Sequence, residues 1–252
     1  MKKANSSLQK EIIVLPEKPI QWFRNQLQTW SIVNFRDFPW RRTAEPYAIF
    51  IAELLLQKTD ATTVEKIYEI FLAQYPSLKA IATADIEEIA QLLAPLGLHF
   101  RAKRLHQAAQ IILEKHGGKF PTTETELLKL PGVGKYTARS ICTNAFQQPL
   151  AVLDTNIARI IERFFGIKGN RVKSRCKILW EIAEFIAPNT NVDSWNLTLI
   201  DFGAAICTAS GPRCQNCLLQ QQCNYVKLKK EEERGKKEEV DGNSNPNNIK
   251  SG

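Results

Sequence analysis

Four features of the 252-residue chain pair reactive side chains with a spacing that would let them act together. The first is a lone carboxylate, Glu53, inside the apolar run YAIFIAELLLQKT (residues 47–59), with Gln57 four residues on and so on the same face of a helix. An unpaired carboxylate there is costly, so Glu53 either has a partner or is kept protonated above its usual range for proton transfer. The second is the glycine-rich turn Leu130-Pro131-Gly132-Val133-Gly134-Lys135, which opens into a helical pattern at Tyr136 and Thr137. Its glycines let backbone approach a ligand, and the new helix offers unpaired N–H groups at a positive dipole end: an anion site suited to phosphate. The third is Asp154, a single carboxylate that follows an apolar run and opens the next helix. The fourth is C-x6-C-x2-C-x5-C, formed by Cys207, Cys214, Cys217 and Cys223. Thiolates so closely spaced can converge on one metal centre, and four of them suit zinc and iron–sulfur alike.

The elements that must position these groups are helical. Apolar residues recur at helical spacing from Pro19 to Asn34, through 61–75, 84–96 and 101–116, and again through 154–165, 174–187 and 193–207. Strand-like alternation is nearly absent, which predicts an all-α fold without internal repeats. Pro46 suits the first turn of the helix that carries Glu53. The expected organisation is a flexible N-terminus over 1–16, a helical body over 17–226 and a charged tail over 227–252. Strong helix formers allow that tail to prolong a helix briefly, with disorder expected from Asp241. Cys142 and Cys176 fall in apolar helical surroundings and read as core thiols.

Net charge is +8, and the tail from Lys227, with seven basic and six acidic residues, contributes only +1 of it. The rest lies on the folded body, where it favours a polyanionic partner. Two segments mix basic and aromatic groups: FPWRR at 38–42 and LHFRAKR at 98–104, the latter offering Arg101 to a duplex. No run reaches the roughly 20 apolar residues of a membrane span, and the N-terminus lacks the apolar stretch of a signal peptide. A cytoplasmic location is expected, nucleoid-associated in a prokaryote.

The cysteine spacing, after a helix ending LTLIDFGAAIC, resembles the cluster loop of the endonuclease III superfamily of DNA glycosylases, which carries a 4Fe–4S cluster there. The resemblance extends from Trp22 to Cys223. LPGVGKYT (130–137) is similar to that family's helix–hairpin–helix, which implies DNA contacts at Leu130, Gly132, Val133, Gly134, Lys135 and Thr137. Asp154, in VLDTNIARI, falls at the catalytic aspartate. Tyr136 stands where bifunctional members have a lysine that attacks C1′; tyrosine forms no Schiff base, so base removal without efficient strand cleavage is implied.

Two monofunctional branches share a glutamate at Glu53, and a tyrosine at Tyr136 occurs in the second of them and in some members of the first. One is the A/G-specific adenine glycosylases, which place an intercalating glutamine at Gln57. The other is the archaeal thymine–guanine mismatch glycosylases. Lys58-Thr59-Asp60 departs from the adenine branch's Gln-Thr-Gln, and Asp154-Thr155-Asn156 departs from its Asp-Gly-Asn. The short stretch after Cys223 also leaves no room for that branch's C-terminal domain. The resemblance thus implies excision of thymine or uracil opposite guanine from double-stranded DNA by a monomer. It also implies two lobes: a six-helix barrel over about 46–152, and a lobe built from 17–45 with 153–206, followed by the cluster loop at 207–223.

Overall fold

A computed structural model describes residues 15–97 and 100–242, with side chains through residue 236. Most of the expected flexible N-terminus, the Leu98–His99 pair and the last ten residues of the tail lie outside the described residues. Twelve α-helices are present among the described residues, with no strand: α1 (Glu17–Asn34), α2 (Pro46–Leu55), α3 (Ala61–Gln74), α4 (Leu78–Thr83), α5 (Ile86–Leu93), α6 (Phe100–His116), α7 (Glu124–Leu127), α8 (Lys135–Phe146), α9 (Thr155–Phe165), α10 (Lys177–Ile186), α11 (Val192–Ala205) and α12 (Asn224–Gly242). The all-α expectation holds.

Two separate hydrophobic cores divide these helices into lobes. One is built from α2 to α8 and runs from Tyr47 to Cys142. The other joins Ile20, Phe23, Leu27 and Trp30 of α1 to residues 151–223, so the chain's beginning packs on its later half. Phe23 meets Phe164 at 4.7 Å and Trp30 meets Phe202 edge-on at 5.2 Å, and such pairs add to the burial of their area.

Helix α2 is the axis of the first lobe. Nine of its ten residues are buried, Glu53 among them. Pro46 sits in its first turn and Glu45 caps it, accepting from the Ala48 N–H at 2.7 Å. It ends at Leu55, earlier than the sequence suggests, and Lys58 in the turn beyond takes a left-handed φ of 57°. Gln57 therefore lies just past the helix rather than on it.

The tail prolongs a helix further than the brief extension expected of it: Lys227 to Gly242 continue α12. The residues there are strong helix formers, with Lys227–Glu231, Lys229–Glu233 and Glu232–Lys236 at four-residue spacing. Asn224 ties the start of α12 to the second lobe by donating to the Phe164 carbonyl at 2.9 Å.

Candidate active site

A cavity of about 810 Å³ opens between the lobes, and Glu53, Gln57, Tyr136, Thr137 and Asp154 all line it. The two acids are 101 positions apart in the chain, and both raise the charge-formation cost of the Tyr136 hydroxyl, so that ring stands in the field of each. Burial is the largest cause of that effect and holds Tyr136 well above the ordinary phenol range.

Glu53 projects from the apolar α2 and is 9% exposed. Burial pushes its carboxyl up to about 7, against the opposing pull of a Ser140 hydrogen bond and the Arg41 guanidinium. The Ser140 hydroxyl donates to Glu53 Oε1 at 2.6 Å. At neutral pH the group is therefore present in both protonation states.

Asp154 is anchored quite differently. It is the N-cap of α9, its Oδ1 accepting from the Ile157 N–H at 2.7 Å and its Oδ2 from the Asn156 amide at 2.7 Å. Burial raises its carboxyl, while those bonds and Arg159 oppose the rise. Arg159 donates in turn to Asn156 Oδ1 at 2.7 Å, to the Gly203 carbonyl at 2.8 Å and to the Cys207 carbonyl at 2.6 Å. A continuous set of hydrogen bonds thus links Asp154 to the cysteine loop.

The glycine turn between α7 and α8 lies beside the cavity. Gly132 has φ +84°, and a Cβ there would stand 2.9 Å from Arg104 Cδ, so glycine is demanded twice over. Gly134 is extended (φ −100°) and faces open space. Leu130 and Val133 are buried in the first core, so their side chains hold the turn in place and cannot touch a partner. Ala138 is the first amide to donate back within α8, to the Gly134 carbonyl at 2.9 Å, which leaves the N–H groups at the helix start available. Gln57 Nε2 donates to the Gly132 carbonyl at 2.8 Å, tying the end of α2 to this turn.

Two basic residues offered by the sequence are engaged within the fold. Arg101 is 1% exposed; its guanidinium donates to the Gln57 carbonyl and, at 2.6 Å, to Thr59 Oγ1. It supports the loop that carries Gln57 and is not available to a duplex, which corrects its assignment to DNA contact. The Lys135 ammonium lies 4.1 Å from the Trp180 ring centroid, on the second lobe, so only its backbone N–H faces the turn. In the FPWRR segment, Phe38 and Trp40 stack at 4.8 Å on the cavity wall. Arg41 forms two bonds to buried Asp201, at 2.7 and 2.8 Å.

Ser140 and Asn144, which the sequence reading passed over, join the site. They follow Tyr136 at successive four-residue steps along α8, a signal that was available once Tyr136 had been singled out.

The four late cysteines sit on the loop between α11 and α12. Among the described residues no set of His, Cys, Asp or Glu meets the geometry of a single metal ion. The thiols nonetheless feel one another. Burial raises Cys217 to about 11, with Cys223, Cys207 and Cys214 each adding to the rise. Arg163 lies beside them, donating to Cys207 Sγ at 3.4 Å and to the Thr208 carbonyl at 2.7 Å. Four soft donors sharing one electrostatic neighbourhood, with a cation beside them, fit a thiolate-bound cluster.

A helix–turn–helix edge, a deep cavity beneath it and an aspartate at the next helix start define a protein class. The chain belongs to the HhH-GPD superfamily of base excision DNA repair proteins, whose sequence model matches residues 51–185. It is 37% identical to the thymine/uracil-DNA glycosylase of Methanothermobacter thermautotrophicus over 204 residues, 81% of this chain and 92% of that protein. The adenine DNA glycosylase of Homo sapiens is 35% identical over 211 residues, 80% of this chain but 39% of that protein. The solved structure of a thermostable thymine-DNA glycosylase superposes with a TM-score of 0.80 at 36% identity, covering 84% of this chain and 98% of that one.

Proposed function

We propose that the protein is a monofunctional DNA glycosylase that flips a thymine or uracil mispaired with guanine into the cavity and hydrolyses its N-glycosidic bond. The observation that carries this reading is the placement of Glu53 and Asp154 around Tyr136 in a single cavity. The 37% identity to a thymine/uracil-DNA glycosylase over most of both chains supports the choice of base.

Unstacking a base costs a few kcal/mol and least at a mismatch, which favours capture of mispaired nucleosides. The turn at Gly132 and Gly134, with the first N–H groups of α8, grips a phosphate of the bent strand. The C1′–N1 bond then breaks and its electron pair leaves with the base, building positive charge on the sugar. Asp154, held by two donors, stabilises that charge and takes a proton from the water that adds at C1′. Neutral Glu53 donates a hydrogen bond or proton to an oxygen of the departing pyrimidine. Tyr136 packs beside the extruded nucleoside, and having no amine there the enzyme forms no Schiff base and leaves the strand intact.

In the same reading Cys207, Cys214, Cys217 and Cys223 would hold a 4Fe–4S cluster, which would cross-link the loop between α11 and α12. The protein acts as a monomer.

Single-turnover excision from T:G, U:G, A:G and A:8-oxoguanine duplexes, followed by alkali, tests the proposal. Cleavage confined to T:G and U:G is expected. Cleavage confined to the adenine duplexes assigns the protein to the adenine branch instead, and strand breakage without alkali overturns the monofunctional reading.

A further inference from the structure

One face of α8 carries Tyr136, Ser140 and Asn144 at four-residue spacing. Ser140 is 4% exposed, between Glu53 on one side and Asn144 on the other. Its hydroxyl donates to Glu53 Oε1 at 2.6 Å, and Asn144 Nδ2 donates to Ser140 Oγ at 3.0 Å. The directions follow from chemistry. A serine hydroxyl has one proton, and Glu53 Oε1 can only accept, so Oγ spends its proton there and receives the amide on a lone pair. The result is an ordered relay, Asn144 to Ser140 to Glu53.

The relay distinguishes the two oxygens of a buried carboxyl. Oε1 is occupied as an acceptor, whereas Oε2 has no hydrogen bond among the described residues. Asn144 lines the same cavity as Glu53, so the outer end of the relay borders the space an extruded base would enter.

We infer that Ser140 and Asn144 are positioning residues for Glu53, fixing Oε1 against α8 so that Oε2 carries the exchangeable proton and faces the base. This rests on the glycosylase reading of the site. The other groups around Glu53 are few. Arg41 opposes its burial, and Tyr136 shares its field from α8; α3 and α6, which also pack on α2, place no charge that acts on it.

The test is the pH dependence of single-turnover uracil excision from a U:G duplex by the full chain at saturating enzyme. Removing a donor to the carboxylate makes ionisation harder, so Ser140→Ala moves the Glu53-dependent inflection upward by about one pH unit. Asn144→Ala moves it the same way by less, and Ser140→Thr, which keeps the hydroxyl, returns it toward the parent value. Acid or base action by Glu53 changes which limb is seen but not the direction of the move. The enzyme concentration at half-saturation stays the same. An unmoved inflection in Ser140→Ala overturns the relay; should that variant not fold, Asn144→Ala, at a partly exposed position, decides it. Infrared titration of the Glu53 carboxyl in the free protein separates this from the glycosylase reading. If no base is excised yet the carboxyl still titrates higher in Ser140→Ala, the relay stands and the proposed reaction falls.

Discussion

The cavity has two walls, and each supplies one acid by a different device. The first lobe buries Glu53 in the last turn of a helix, where a single hydroxyl is its hydrogen-bond donor and burial lifts it to about 7. The second lobe sets Asp154 at a helix start, where a backbone N–H, an amide and the positive end of the helix dipole all favour the charged form. Burial raises both carboxyls; a backbone N–H, an amide and Arg159 pull Asp154 back, whereas Glu53 has one hydroxyl and Arg41 to oppose it. What differs between the walls is the number of donors to each carboxylate, and unequal environments of this kind can divide donor and charge-stabiliser roles between like side chains.

The sharpest way to break this contrast is Asp154→Asn. Asparagine caps a helix as well as aspartate, so the melting temperature should stay close to the parent value. The excision rate should fall by roughly 10²–10³ or more, as when a preorganised charge-stabilising group is lost. Full excision by this variant, measured in single turnover, would remove Asp154 from the mechanism.

Glu53→Gln probes the other wall, and rate and stability should part company. Excision should drop by about 10²-fold or more through loss of the proton donor. Stability should rise at high pH. A carboxyl whose folded-state value is lifted from 4.5 to about 7 favours folding most below 4.5, where both states are protonated, and that advantage is lost as pH climbs to 7. Glutamine carries no such penalty, so the variant should gain on the parent by on the order of 2–3 kcal/mol above pH 7 and lose that gain in acid. Chemical denaturation at pH 5 and pH 8 checks it.

How much of this was legible in the sequence follows the same division. Glu53 announced itself because a carboxylate in an apolar helix is anomalous, and Asp154 because it caps one. Both, with Gln57, Tyr136 and Thr137, line the cavity. Arg101 was misassigned because LHFRAKR reads as a basic surface, whereas only the three-dimensional packing shows that its guanidinium is spent on Gln57 and Thr59. Ser140 and Asn144 went unnoticed because hydroxyl and amide side chains in a helix carry no anomaly; they matter through a partner 87 positions away. The partner of the Lys135 side chain, Trp180, lies in the other lobe and was not legible either, while the residue's place at the turn rests on its backbone N–H.

Smaller effects concern the turn between the walls. Gly132→Ala forces a left-handed φ of +84° on a residue with a Cβ and drives that atom against Arg104. It should cost about 1–2 kcal/mol of stability, seen as a lower denaturation midpoint, and should weaken duplex binding more than it slows bound-state excision.

The least effect is expected at Lys135, where a lysine beside the glycine turn invites assignment to a phosphate. Its ammonium rests on Trp180, and Arg139 lies over the same ring at 5.1 Å while bonding Glu124 in one lobe and Glu184 in the other. These two cations stitch the walls together. Removing a phosphate-bound lysine would lower the slope of log K against log salt by about 1. Lys135→Met should leave that slope nearly intact and cost on the order of 0.5–1 kcal/mol of stability, the worth of a partly exposed cation–π contact. A full unit lost from the salt slope would show that DNA pulls the ammonium off Trp180, making the stitch between the lobes one that substrate itself undoes.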